Sequence, residues 1–214
     1  MLKSDASSDR TRGFTVTSGG SAAAAYLVGE RIGFHAPRLE DAGSAHAWML
    51  DAERAWAMGF GFPVSKGKAE KRLKAEETSP WGNGDTIRLV AIDLETHEIV
   101  GGAAVVRENG RIGWVRSQVA PWFDAEESDR IELEMASLLV TWVRKELDLM
   151  VIEYVVAGDR HLLIRHICEQ GFIEGTRLRE AIQGPAARVD LLWLESVNSR
   201  WGSRFEASEA PAHE

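Results

Sequence analysis

The stretch TIRLVAIDLETHEIVGGAAVVRENGRIGWVRSQV, residues 86–119, decides the architecture. Three β-rich runs lie in it, Thr86 to Asp93, Ile99 to Arg107 and Arg111 to Val119. The first join is the short polar segment Leu94-Glu95-Thr96-His97-Glu98, and the second contains Asn109-Gly110, whose residues both accept the positive φ of a tight hairpin turn. Strands this close in sequence pair with their neighbours, so the stretch predicts a three-stranded antiparallel meander.

Downstream, Asp124 and Glu127 have the spacing of a capping box, in which the first side chain accepts an N–H and the second reaches back. Ile131, Met135, Leu138, Leu139, Trp142 and Val143 then keep helical period, which predicts a helix over 125–147. The nearly continuous apolar run Met150 to Val156 has the pattern of a strand buried on both faces. Residues 160–170 form a short helix closed by Gly171, and Arg177 to Ile182 with Arg188 to Glu195, separated by Gly184-Pro185, form a last hairpin. Upstream, residues 31–36 are a strand that exits at Pro37. Ala45, Trp48, Met49, Ala52 and Trp56 give a helix over 40–57 an apolar face. A glycine-aromatic loop, residues 58–63, and a charged helix over 66–77 precede the meander.

With 214 residues the chain holds one core. Composition places a Ser, Gly and Ala-rich flexible leader at 1–27, the folded domain at 28–197 and a polar tail at 198–214, in which Trp201 and Phe205 are able to dock onto the body. There is no run of 18 apolar residues and no apolar secretion signal in the first 25, so neither a membrane span nor export is expected, and the expected location is cytoplasmic. A net charge of −8 disfavours nucleic acid and anionic membrane as partners. The single cysteine, Cys168, excludes an internal disulfide and a multi-cysteine metal site.

The order β-α-α-β-β-β-α-β-α-β-β resembles the GCN5-related N-acetyltransferase (GNAT) superfamily. Gly29-Glu30-Arg31-Ile32 and Pro37-Arg38-Leu39-Glu40-Asp41-Ala42 resemble the opening of its ribosomal-protein acetyltransferase branch. The segments Leu147 to Val155 and Glu169-Gln170-Gly171-Phe172-Ile173-Glu174-Gly175 are similar to that branch's fifth strand and its Gly-Phe signature. Arg179-Glu180 and Val189-Asp190-Leu191 match the closing hairpin. The resemblance covers Gly29 to Val197 and implies an α+β fold, a mixed and mostly antiparallel sheet of six to seven strands with helices on both faces. Its fourth and fifth strands, here 111–119 and 150–156, are expected to splay apart.

The resemblance further implies that the pantetheine arm of acetyl-CoA or another acyl-CoA enters between those strands, with its pyrophosphate on a glycine-rich turn at the next helix. A helix start suits an anion because its first N–H groups are unpaired and carry the positive end of the dipole. By position the coenzyme contacts are Gln118, Val119, Ala125, Glu126, Glu127 and Ser128. The corresponding segment, residues 118–130, contains no glycine. With Pro121 aligned to the proline that often precedes the turn, Asp124 takes the Arg/Gln position, and Ala125 and Glu127 take the two glycine positions. With Gln118 as first residue, Pro121 falls on a glycine position and removes a donor. Asp124, Glu126, Glu127 and Asp129 also oppose a polyanion, at a cost on the order of 1–4 kcal/mol for each close like-charge pair. In the second signature Arg160 stands for the asparagine, Leu163 for a small residue and Ile167 for the tyrosine that often protonates the leaving thiolate. No catalytic residue is carried over.

The resemblance places Trp56, Phe60, Phe62, Trp114 and Trp122 on the walls of the acceptor and acyl pockets, where rings would suit a bulky ligand. Trp48, Trp142 and Trp193 fit core faces. Cys168 sits in an apolar-periodic helix and reads as a packed small hydrophobe. His161 and His166, five apart, lack the spacing of a metal pair, and no metal is expected. The acids of 124–134 read as helix caps and a solvated face. Lys66, Lys68, Lys71, Arg72 and Lys74 read as a solvated helix surface, or as a contact for an acidic partner or for the coenzyme's phosphates reached from the second helix.

Three functions remain open. One is an acyl-CoA-dependent N-acyltransferase, in which an amine attacks a thioester carbonyl polarised by backbone N–H groups near Val119. Its partner would be a small-molecule or peptide amine, and a homodimer is compatible. The second is a fold of this family that has lost coenzyme binding and acts as a binding or regulatory module. The third is other chemistry in the same cleft.

Overall fold

The computed structural model describes residues 25–41, 43, 65–67, 70–71, 86–109, 111–119, 123–147, 149–183, 187–199 and 201. The meander forms as its alternation demands. Strands β3 (Thr86–Asp93), β4 (Ile99–Asn109) and β5 (Ile112–Val119) pair antiparallel, with Leu89 opposite Ala103 and Val105 opposite Val115. They belong to a sheet completed by β1 (Leu27–Val28), β2 (Ile32–His35), β6 (Val151–Ala157), β7 (Ile173–Gln183) and β8 (Arg188–Val197). The strand order is β1-β2-β3-β4-β5-β6-β8-β7, and β5–β6 is the parallel pair. The fold is thus α+β with a mixed, mostly antiparallel sheet.

Helix α1 (Ala125–Glu146) connects β5 to β6, and α2 (His161–Glu169) connects β6 to β7. Ile131, Met135, Leu139 and Val143 recur at four-residue spacing and are buried against Val115, Ile152 and Tyr154 of the sheet. Leu163 and Ile167 of α2 enter the same core, and the two helices touch each other, so both cover one face. Gly101 in β4 lets α1 approach, because a Cβ there would lie 2.6 Å from the Gln118 carbonyl oxygen and 2.9 Å from the Met135 sulfur.

The β1–β2 turn is fastened to α1 by a carboxylate. Glu134 Oε1 accepts the backbone N–H groups of Arg31 (2.8 Å) and Ile32 (2.9 Å). A Cβ on Gly29 would stand 2.5 Å from that oxygen, which is the steric reason for glycine in the Gly29-Glu30-Arg31-Ile32 turn.

Several expectations are refined. Among the described residues the sheet has eight strands rather than six or seven, because Leu27–Val28 adds a short edge strand and Tyr26 N–H reaches the Phe34 carbonyl. Strand β7 begins four residues earlier than its alternation suggests, since pairing to β8 carries it through two register shifts. The helices expected over 40–57 and 66–77, and with them the second helical face, lie outside the described residues apart from isolated positions, as do residues 1–24 and 202–214. Beyond β8, Asn198 is buried and donates to the Arg144 and Leu149 carbonyls, both at 3.1 Å, while Trp201 packs under the Arg111 guanidinium at 3.9 Å.

Candidate functional site

The β5–β6 ladder runs only from Ile112–Val151 to Val115–Tyr154, while β5 remains paired to β4 up to Val119 and β6 to β8 up to Ala157. The two strands therefore part after Val115 and Tyr154. In an antiparallel ladder every second residue turns its N–H and C=O away from the partner strand. Along Arg116 to Val119, alternate backbone groups accordingly face the β6 side, into the opening.

A hydroxyl pair marks the point of divergence. Ser117 Oγ and Tyr154 Oη lie 2.5 Å apart. Tyr154 is fully buried, and burial pushes its phenol far above the usual range against the opposing Ser117 hydrogen bond. The phenol is neutral at physiological pH.

Helix α1 starts beside the end of β5. Asp124 Oδ1 accepts the Glu127 backbone N–H at 2.9 Å, as expected of an N-cap. The other half of the capping box is replaced: Glu127 Oε1 binds Arg31 Nη1, and its Oε2 accepts from Arg130 Nη2 at 2.6 Å. Arg31 Nε also donates to Asp93 Oδ2 at 2.6 Å. Charge-assisted bonds are about twice as strong as a neutral N–H contact, so two guanidiniums outcompete the backbone for this carboxylate.

The N-cap of α2 contributes a second ion pair. Arg160 Nε and Nη2 donate to Glu132 Oε2 at 3.0 and 2.5 Å, with Asp129 Oδ1 3.9 Å from Nη2. Glu132 is 6% exposed; burial pushes its carboxyl upward, and Arg160 opposes that shift. Arg160 and Glu132 tie the start of α2 to the second turn of α1, on the helix-covered side of the opening.

Gln118 and Val119 lie on the free half of β5, and Ala125, Glu126, Glu127 and Ser128 form the first turn of α1. The fold brings this group together at one end of the opening. Trp114 stands on β5 opposite Glu153, and its Nε1 donates to Glu108 Oε1 at 2.9 Å. Burial, then Glu108 and Glu195, raise the Glu153 carboxyl. Trp56, Phe60, Phe62 and Trp122 lie outside the described residues.

Two side readings change. Cys168 is exposed rather than packed, because the α2 residues that reach the core are Leu163 and Ile167. Trp142 is buried as expected, whereas Trp193 is only half-buried on β8. His166 Nε2 lies 2.7 Å from Ser137 Oγ, whose proton goes to the Leu133 carbonyl at 2.9 Å, so the imidazole donates. Among the described residues, no group of three or more His, Cys, Asp or Glu is arranged to hold a metal.

Sequence reasoning missed the Ser117–Tyr154 and Glu132–Arg160 pairs. Tyr154 is a polar-tipped residue inside an apolar strand, the one local signal that it needed a partner.

No protein-family model and no curated protein matches the chain. Solved structures do. A protein of Sphaerobacter thermophilus assigned as an acetyltransferase is 26% identical, with a TM-score of 0.61 over 82% of this chain and 99% of the other. Spermidine N-acetyltransferase of Vibrio cholerae, solved with CoA and spermine, has a TM-score of 0.64 at 15% identity over 81% and 99% of the two chains. A GNAT-family acetyltransferase of Bacillus anthracis has a TM-score of 0.61 at 12% identity, covering 80% and 98%. With the split β5–β6 pair in place, these likenesses establish that the chain has the GNAT superfamily fold.

Proposed function

We propose that the protein is an acyl-CoA-dependent N-acyltransferase acting on an amine. The observation that carries this reading is the parting of β5 and β6 after Val115 and Tyr154, beside the first turn of α1. An opening flanked by strand backbone that runs past the end of the β5–β6 ladder suits an amide-bearing pantetheine arm, which can hydrogen-bond as an added strand. Gln118 and Val119 would line the arm, and Ala125 to Ser128 would meet the coenzyme's phosphates. The turn fits its anion less well than the opening fits the arm: it has no glycine, and Asp124 already holds the Glu127 N–H. The similar acetyltransferases and the spermidine enzyme support the reaction class and an amine acceptor.

In this reading a neutral amine attacks the thioester carbonyl, and a backbone N–H near Val119 stabilises charge developing on the carbonyl oxygen. The branch acting on ribosomal proteins is one home for the chain, on the strength of its Gly29 to Ile32 turn. Titration calorimetry with acetyl-CoA tests the reading. Saturable binding followed by acetyl transfer to members of an amine panel is expected. No heat of binding and no product above a protein-free blank would establish the alternative, a fold of this class serving as a binding module, for which the carboxylate-rich turn is the supporting observation.

A further inference from the structure

We infer that Ser117 is a catalytic hydrogen-bond donor at the inner end of the opening, aimed at the thioester sulfur and held there by the Tyr154 phenol; the inference rests on the acyl-CoA reading above. The direction of the arm places the sulfur. With the phosphates at the first turn of α1, beyond the end of β5, the arm enters from that side, and its thioester points to the end where the ladder closes, at Val115 and Tyr154. The Ser117–Tyr154 bond crosses from β5 to β6 just past that last rung, on the helix-covered face. Val115 and Ile152, the next residues on the same faces of the two strands, are apolar and fully buried, so the hydroxyl pair is the polar feature of this closed end.

The pair holds two protons but makes one bond between its oxygens, which leaves one O–H to donate elsewhere. Tyr154 is fully buried with Ser117 Oγ as its phenol's partner, whereas Ser117 is only half-buried. An unmet donor costs most where water is absent, so the phenol donates to Ser117 and the serine proton is the one left over. Burial raises the phenol pKa and Glu132 acts in the same direction, which keeps this donor protonated. A hydrogen bond into Oγ polarises the serine O–H and strengthens the bond it makes in turn. When the amine attacks, the C–N bond forms, the electron pair of the breaking C–S bond ends on sulfur, and the nitrogen releases its proton to water. Ser117 keeps its own proton and donates a hydrogen bond to the sulfur as charge collects there. A neutral thioester sulfur accepts weakly and a thiolate strongly, so the contact strengthens along the reaction. Ser117 is then a catalytic residue and Tyr154 a positioning one.

The test reads the sulfur itself. Ultraviolet thiolate absorbance of CoA bound to the full chain, taken as the difference from protein alone and titrated against pH, gives the pKa of the bound thiol. Ser117→Ala is expected to raise that pKa by about one to two units, the worth of a hydrogen bond to a charged group. The same variant should lower kcat with an accepted amine about ten- to a hundredfold. Its acetyl-CoA affinity should stay within about twofold of wild type, because the neutral sulfur gains little from the contact. Ser117→Thr should restore the wild-type thiol pKa, and Tyr154→Phe should shift it in the same direction as Ser117→Ala by a smaller amount. Ser117→Ala combined with Tyr154→Phe leaves no buried hydroxyl without a partner and serves the comparison if the single variant unfolds. An unchanged thiol pKa in the folded variant, or an equal loss of CoA and acetyl-CoA affinity, overturns the inference. Wild-type protein that binds neither ligand overturns the acyl-CoA reading itself.

Discussion

Asp93 joins the turn after β3 to the β1–β2 turn. Its Oδ1 accepts the N–H groups of Glu95 (2.9 Å) and Thr96 (3.0 Å), which shapes the turn after β3, and its Oδ2 holds Arg31. Burial would raise this carboxyl, but the hydrogen bonds from Thr96, Arg31 and Glu95 outweigh it and set its pKa below the ordinary value. A depressed folded-state pKa stabilises the protein above the unfolded pKa, about 3.9, and that contribution disappears as pH falls through the lower folded value. Asp93→Asn should therefore destabilise by on the order of 2 kcal/mol at pH 7 and by less at about pH 2, below the unfolded pKa. Urea denaturation of both proteins at the two pH values checks this, and a gap that stays constant with pH contradicts it. None of this was legible locally, because Asp93 and Arg31 are 62 residues apart and Glu127 is 96 from Arg31. The Gly29-Glu30-Arg31-Ile32 turn stood out in the sequence, but its partner Glu134 is identified only once α1 is placed over it.

At the scale of elements, local chemistry was the reliable guide. The helix expected at 125–147 is found at Ala125–Glu146 because its four-residue apolar spacing and the Asp124 cap agree. The meander was legible because its joins are short and Asn-Gly leaves few alternatives. The capping box was half right, since its second member answers to arginines that sequence spacing does not show. Asp124→Ala should cost about 1 kcal/mol by removing the acceptor for the Glu127 N–H, measurable as a lower urea midpoint with an unchanged m-value. The β5–β6 split was legible only through resemblance; apolar runs do not announce where a ladder stops. Its hydroxyl pair yields a separate expectation. Tyr154→Phe keeps the ring in the core and removes only the oxygen, so the destabilisation should be about 1 kcal/mol. A loss above roughly 3 kcal/mol, beyond what one neutral hydrogen bond supplies, would mean that Ser117–Tyr154 holds the opening in shape. Acetyl-CoA affinity measured on the same variant separates the two roles.

For the whole molecule, the question is where the folded body ends. Composition drew the boundary at Val197, where the sequence turns polar, and composition does not register that one buried asparagine can close a structure. Asn198 Nδ2 donates to the carbonyl of Arg144 in the last turn of α1 and to that of Leu149 just before β6. Its own N–H reaches the Met150 carbonyl at 2.8 Å, and Trp201 N–H returns to the Asn198 carbonyl. Trp201, 8% exposed, packs under Arg111 at the start of β5. The residues after β8 thus join the C-terminal end of α1 to the starts of β5 and β6, at the paired end of the split ladder. A chain ending at Val197 would leave the carbonyls of Arg144, Leu149 and Met150 short of a donor, at about 1–3 kcal/mol each where buried, and would uncover the space under a large ring. The expected loss is on the order of 3–5 kcal/mol, read as a lower Tm and urea midpoint for residues 1–197 than for residues 1–201. Because these contacts lie at the closed end of the opening, truncation should also weaken acetyl-CoA binding through loss of order rather than loss of contact. Equal stability of the two chains would place the boundary at Val197 and reduce Asn198 and Trp201 to surface packing.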